Sequence, residues 1–265
     1  MVLLLVAGCG DEDTVRTPTG PGRSDDTEVS DDTDGDTDTD TDTDTDTDTD
    51  PGPCPDGMVD VDEVFCIDAF EGSLEVFQGG SWTSFSPYER PGSNRVRARS
   101  AAGVPPQGYI SGTEAAAACA ESGKRLCTSA EWLRACRGPE GFTWPYGDSY
   151  DASACNDTYP GSHPVVDYFG TSDGVWDPTH MNDPGINQQD DTVDPTGANA
   201  RCVSAYGAFD LHGNLHEWVA DADGTFRGGF YADARINGQG CTYRTTAHSI
   251  GYHDYSTGFR CCADP

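Results

Sequence analysis

Apolar and acidic residues alternate from Met58 to Phe65 (Met58, Val59, Val61, Val64 and Phe65 are the apolar ones). That period of two predicts a half-buried strand, followed by a turn region over Cys66-Ile67-Asp68. Two helices are signalled next. Ser111-Gly112-Thr113-Glu114 has the spacing of a capping box, leads into the run Ala115–Ala120 and is stopped by Gly123. Thr128-Ser129-Ala130-Glu131 repeats the device ahead of Trp132, Leu133 and Cys136, with a stop at Gly138. From 139 to 208 the helical period is lost among Gly, Pro, Asp and Asn. A few short strands among ordered loops are expected there, with disulfides or ions replacing missing core. Upstream, Asp and Thr alternate strictly from Asp36 to Asp50, yet neither residue offers an apolar face. Residues 10–53 therefore read as a disordered acidic stalk, closed by Pro51-Gly52-Pro53, and residues 54–265 as one folded domain.

Charge sharpens this division. The 265 residues carry 46 acids against 15 bases, a net of −31, of which −15 falls in residues 1–50 and −16 in the remainder. Such a chain repels phosphate, so nucleic acid is excluded as an expected partner, and divalent cations are the natural companions of so much carboxylate. At the start, the short apolar run ends in Val6-Ala7-Gly8-Cys9, which resembles a bacterial lipobox with Cys9 as the lipidated residue. The run is too short to span a bilayer, and no Lys or Arg precedes it, so residues 1–9 read as a signal remnant. The expectation is a lipoprotein tethered to a bacterial membrane on its extracytoplasmic side, the stalk holding the domain away from the surface. Of 11 cysteines, ten remain beyond Cys9. An even number of thiols in a small domain, without a Cys-x-x-Cys pair, points to five disulfides in an oxidising compartment. Cys155–Cys202 is the preferred staple for the long irregular segment.

Four segments together resemble one family: Gly123–Trp132; Trp144-Pro145-Tyr146-Gly147-Asp148; Tyr206–Trp218; and Arg227-Gly228-Gly229 with Gly258-Phe259-Arg260-Cys261. They are similar, in order and spacing, to the formylglycine-generating enzymes, the sulfatase-modifying-factor domain, over roughly residues 60–265. The resemblance implies an α+β, C-type-lectin-like fold that is loop-rich with little regular secondary structure. It implies a structural calcium held by the side chains of Asp210 and Glu217 and the carbonyls of Gly213 and Leu215, chemistry suited to that ion. The alternative for the same stretch is a structural turn, with Asn214 and Glu217 bonding backbone groups. A second family calcium site would begin at Asn156 and Asp157. The resemblance also implies a disulfide between Cys119 and Cys261, and half of another at Cys136, with Cys241 as a guessed partner. His212 and His216, four apart, invite a transition metal, but Gly213-Asn214 interrupts any helix that would align them.

The family's enzymes hold copper on two cysteine thiolates. The matching positions here are Asp233 and Gly240, with Cys241 one residue away. A carboxylate and a glycine cannot replace two soft thiolates, so no copper is expected. The reading that follows is a non-catalytic binding or scaffold module whose ligand is a protein or a glycan. The alternative is an enzyme of the same family with different, metal-dependent chemistry, for which Asp233, His248 and His253 are the candidate catalytic residues. True sulfatase activation is the least favoured. Arg227, Arg244 and Arg260 are expected to pair internally. Trp132, Trp144 and Trp218 are expected in the core, and Trp176 is the expected exposed aromatic.

Overall fold

A computed structural model describes residues 53–265. The lipobox with Cys9 and the Asp/Thr tract lie outside the described residues. The predicted strand over 58–65 is two strands: β1 (Met58–Val61) and β2 (Phe65–Asp68) form an antiparallel hairpin with Val61 opposite Phe65. Asp62 and Glu63, both at φ 58°, reverse the chain. Asp tolerates this left-handed backbone. No Gly or Pro announces the reversal, and the alternation reads the same through both arms, so the sequence pattern could not show it. Cys66–Asp68, expected as a turn, is strand.

Three small sheets follow. β3 (Gly72–Gln78) lies between β4 (Ser81–Ser84) and β5 (Val96–Ser100). The hairpin joins β6 (Arg125–Leu126) and β11 (Cys261–Ala263) in the order β1-β2-β11-β6. The third sheet runs β10-β7-β8-β9, from β7 (His216–Val219), β8 (Thr225–Arg227), β9 (Arg244–Thr245) and β10 (Thr257–Phe259). The two signalled helices are α1 (Gly112–Glu121) and α2 (Ser129–Arg137), each entered through the expected reciprocal capping box. Each N-cap stabilises its helix by about 1 kcal/mol. Ala115, Ala118 and Cys119 of α1 join Leu74, Val76, Trp218 and Phe259 in one core. Trp132, Ala135 and Cys136 of α2 join Ile67, Leu211 and Val219 in a second.

β11 connects these cores. Successive side chains of a strand point to opposite faces. Cys261 therefore enters the first core and Cys262 the second. There they form the disulfides Cys119–Cys261 and Cys127–Cys262, closing loops of 142 and 135 residues. In the chain-entropy account, loops of that length stabilise by about 4–5 kcal/mol each. The other bridges are Cys54–Cys66, Cys136–Cys241 and Cys155–Cys202. The three pairs proposed from the sequence are thus present, with two that it left unassigned.

The segment 139–208 departs from expectation. It contains no strand element among the described residues, but α3 (Pro164–Phe169), α4 (Pro178–Met181) and a 3-10 turn (Ile186–Gln188). His163 and Asp177 cap the two helices, and Pro164 and Pro178 occupy the first turn. Proline is pre-shaped for that position, so each X-Pro step was a readable start signal. Nor does the segment lack core: Val165, Val175 and Ile186 pack with Tyr109, Tyr231 and Tyr255. Trp132 and Trp218 are fully buried and Trp176 is 51% exposed, as expected. Trp144 is the exception, being only partly buried. No described helix is long and apolar enough to cross a membrane.

Candidate functional site

The stretch Asp210–Glu217 folds as a tight loop leading into β7. Asp210, Gly213 and Asn214 all have positive φ, and a Cβ on Gly213 would stand 2.1 Å from the Asn156 carbonyl oxygen, so only glycine fits there. The Asn214 amide is the hub of the loop. Its Nδ2 donates to Glu71 Oε2 (2.5 Å) and the Asp194 carbonyl (3.2 Å). Its Oδ1 accepts from Asn156 Nδ2 (3.1 Å) and Asp194 N (2.9 Å).

Asp210 and Glu217 do reach one buried cluster, together with Glu71, but the positive charge among them is Arg260. Arg260 Nε and Nη2 donate to the two Glu217 oxygens, both at 2.6 Å, and Trp132 Nε1 adds a third bond of 2.6 Å. The same guanidinium donates to the Asp68 and Phe209 carbonyls at 3.0 and 2.7 Å. Burial opposes the Arg260 charge, but Glu217, with Glu71 and Asp210 behind it, outweighs burial and holds its pKa above the usual value. The excess of carboxylate shows on the other two acids. Burial pushes Asp210 up to about 6, and burial with the neighbouring Asp210 and Glu217 charges pushes Glu71 well above the carboxylate range. As arranged, both Glu217 oxygens are bonded by the guanidinium, which answers its charge. For Glu217 the alternative of a structural turn fits in kind, with Arg260 and Trp132 as partners rather than backbone groups.

Asn156 and Asp157 are likewise committed. Asn156 Nδ2 donates to the Thr192 carbonyl at 2.7 Å. Asp157 is buried, accepts from the Tyr150 hydroxyl (3.2 Å), and faces His212 Nε2 (3.2 Å) and Arg235 Nη2 (3.3 Å). His216 lies elsewhere, ringed by Phe226, Phe230 and Tyr243, where burial, aided by His248, drives its pKa down to about 3. Among the described residues no three His, Cys, Asp or Glu converge on a metal-sized site.

The three candidate catalytic residues do not meet. Asp233 closes a turn: its Oδ1 accepts from Arg235 N and Ile236 N at 3.0 Å each, and its Oδ2 accepts from the Tyr243 hydroxyl at 3.1 Å. His248 stacks on Tyr252 with 3.7 Å between ring centres. His253 Nδ1 lies 2.6 Å from Asn182 Oδ1. Of the arginines, Arg227 donates to Ser129 Oγ at 2.7 Å and Arg244 is exposed, so only Arg260 forms the expected internal ion pair.

Gly240 is informative. It sits at φ +52°, and a Cβ there would lie 2.1 Å from the Thr143 carbonyl oxygen. The backbone has closed over the place where a second thiol would stand. Next to it lies a cleft of about 290 Å³ lined by Trp144, Tyr150, Arg235, Gln239 and Gly240. The Arg235 guanidinium lies 4.1 Å from the Tyr150 ring centre and bonds its hydroxyl. Trp144 and Tyr150 are tilted neighbours at 5.9 Å. The cleft was missed in the sequence because Trp144 was assigned to the core; its place in a Gly/Pro-rich stretch was the available signal.

The sulfatase-modifying factor enzyme 1-like domain family matches residues 86–265, two thirds of the chain. The chain belongs to this family. The sulfatase-modifying-factor domain here is 31% identical, over 183 residues, to the formylglycine-generating enzyme of Thermomonospora curvata. That alignment covers 59% of this chain and 55% of the relative, so the chain spans about half the relative's length. Among solved structures, the domain is similar to PvdO from Pseudomonas aeruginosa, at 17% identity and a TM-score of 0.47, over 76% of this chain and 80% of that one. It is similar also to Treponema denticola variable protein 1, at 17% identity and a TM-score of 0.36, over 74% and 63% of the two chains. The loop-rich α+β architecture agrees with membership. β1 to β4 precede the stretch that the family matches.

Proposed function

We propose that this chain is an extracytoplasmic lipoprotein whose sulfatase-modifying-factor domain serves as a non-catalytic binding or scaffold module. The lipid anchor at Cys9 would hold it to a bacterial membrane, with the acidic stalk as spacer. The observation that carries the non-catalytic part is the state of the thiols. All ten cysteines of the described domain are in disulfides. Among the described residues a two-thiolate copper site has no free thiol donors, and Gly240 has no room for one. The residues present do not fit that metal. The cleft beside Gly240 supports binding. Aromatic walls and one guanidinium suit a protein or glycan ligand, with stacking from Trp144 and a charge-assisted bond from Arg235.

The test is turnover of a sulfatase-derived cysteine peptide by the folded chain, supplied with oxygen, a thiol reductant and copper, read by mass spectrometry. The expected result is unchanged peptide. Conversion of its cysteine to formylglycine would overturn the non-catalytic reading. The tether is tested separately, by metabolic labelling with a clickable fatty acid. Wild-type chain should be labelled and Cys9→Ser should not; an unlabelled wild type would overturn the anchor.

A further inference from the structure

One face of the β4-β3-β5 sheet has no role in the cleft or in the cores. β5 and the residue before it place Arg95, Arg97 and Arg99 at alternate positions, so all three project from the outer face while Val96 and Ala98 face the core. Across the sheet, Arg97 pairs with Glu75 and Phe77 with Trp82. The Arg97 guanidinium lies 4.5 Å and that of Arg95 5.4 Å from the Trp82 ring centre. Phe77 is 37% exposed.

The charge of this face is out of keeping with the rest of the molecule. Residues 51–265 net −16 and contain 13 Lys or Arg, yet three of these fall within five residues. They are not saturated. Arg97 bonds Glu75 at 2.7 Å, and Arg99, with its side chain 59% exposed, reaches among the described residues only the same carboxylate, at 3.8 Å. One acid is shared by two guanidiniums, while Arg95 takes Glu121. Beside the strand runs an open groove of about 880 Å³, where Arg97, Arg99 and Lys124 stand among Asp56, Glu75 and Glu121, so the uncommitted positive charge of this face is that of the arginine row and not of the groove.

The geometry points to a binding surface for an acidic glycan. The arginine row would take carboxylate or sulfate groups, and Trp82 with Phe77 would take the apolar face of a sugar ring. Guanidinium forks match such oxyanions bidentately. Alternate strand residues are about 6.7 Å apart, so Arg95 to Arg99 span about 13 Å, enough for more than one acidic group on a linear chain. An acidic protein would use the arginines but has no need of the aromatic platform. This site is separate from the cleft beside Gly240 and does not rest on the reading given to it.

The test is binding of the full-length disulfide-bonded chain, at low and at physiological salt, to polygalacturonate and heparin oligosaccharides, with dextran and poly-aspartate as controls. The two glycans distinguish uronate from sulfate as the anion. We expect binding to at least one acidic glycan and none to dextran. Arg97→Gln with Arg99→Gln should weaken binding by about tenfold or more, and Trp82→Ala by about fivefold. Glu75→Gln, which frees both arginines from their shared acid, should tighten binding, a change that a merely structural role would not produce. The proposal is overturned if the wild type binds neither acidic glycan, or if the double arginine variant binds as the wild type does. It is also overturned if poly-aspartate binds as tightly and Trp82→Ala has no effect, which would mark a surface for acidic proteins.

Discussion

Replacing Arg260 by Gln tests the buried centre most directly. The substitution removes the one side-chain cation that the described residues place among Glu71, Asp210 and Glu217, and with it two bonds to Glu217 and one each to the Asp68 and Phe209 carbonyls. Both members of the pair are at most 1% exposed, so water cannot replace what is lost. Removing one partner of a buried ion pair costs about 3–5 kcal/mol, because the other charge is left uncompensated. For a domain of this size each kcal/mol lowers Tm by about 2–4 °C, which gives a fall of about 6–20 °C. The assay is thermal unfolding by circular dichroism at neutral pH, with disulfides intact. Adding Glu217→Gln to the same chain should recover part of the loss, since two amides carry no stranded charge. A fall of less than about 2 °C would refute the reasoning: Glu217 would then be satisfied by something other than Arg260, a bound cation being the first suspect.

Three further outcomes are expected. Transfer of the wild type from millimolar calcium to excess chelator, at constant ionic strength, should leave Tm within about 1 °C. A folded-state calcium site saturated a hundredfold would contribute about 2.7 kcal/mol and shift it by at least about 5 °C, and weak binding to the Asp/Thr tract would not mimic this if folded and unfolded chains bind alike. His216→Phe should reduce the loss of stability in acid: the unfolded imidazole takes its proton near 6.5 and the native one near 3, so the unfolded chain binds more protons in that window and stability falls as pH drops through it. At pH 4 the difference is about 3 kcal/mol, read from urea midpoints of wild type and variant at pH 7 and pH 4; parallel pH dependences would refute it. Gly213→Ala should give little soluble protein, or a Tm lower by more than about 6 °C, because the added methyl meets the Asn156 carbonyl; unchanged melting would contradict the loop geometry.

Helices α1 and α2 were legible because their signals are local: a cap, a hydrophobic stripe and a stop. The Asp62-Glu63 reversal was not, since two acids continue the alternation that surrounds them. The short helices after His163 and Asp177 were legible in principle through their X-Pro starts, but the Gly- and Asp-rich composition around them suggested strand and loop. The centre was half legible. The pattern Asp210 to Glu217 announced a carboxylate site, and its members do share one buried cluster. The charge that answers Glu217 comes from Arg260, 43 residues further on. Only tertiary packing could choose between a guanidinium and a divalent ion, since both satisfy the same carboxylate. The loss of the thiol positions was readable as residue types at Asp233 and Gly240, but the closure of the backbone over Gly240 belongs to three dimensions.

The double-faced strand β11 also sets an order of events for a chain made from its N-terminus onwards. β2, α1, β6 and α2 all emerge before residues 261–263 exist, yet β2 and β6 become neighbours in the sheet only through that strand. Until it arrives, Cys119 and Cys127 have no native partners, and neither core has its closing wall. Folding of this domain is therefore completed only once residues 261–263 are available, and an exported chain would meet its thiol oxidant while still open. A cell making it must keep these two early thiols from pairing with each other until β11 arrives.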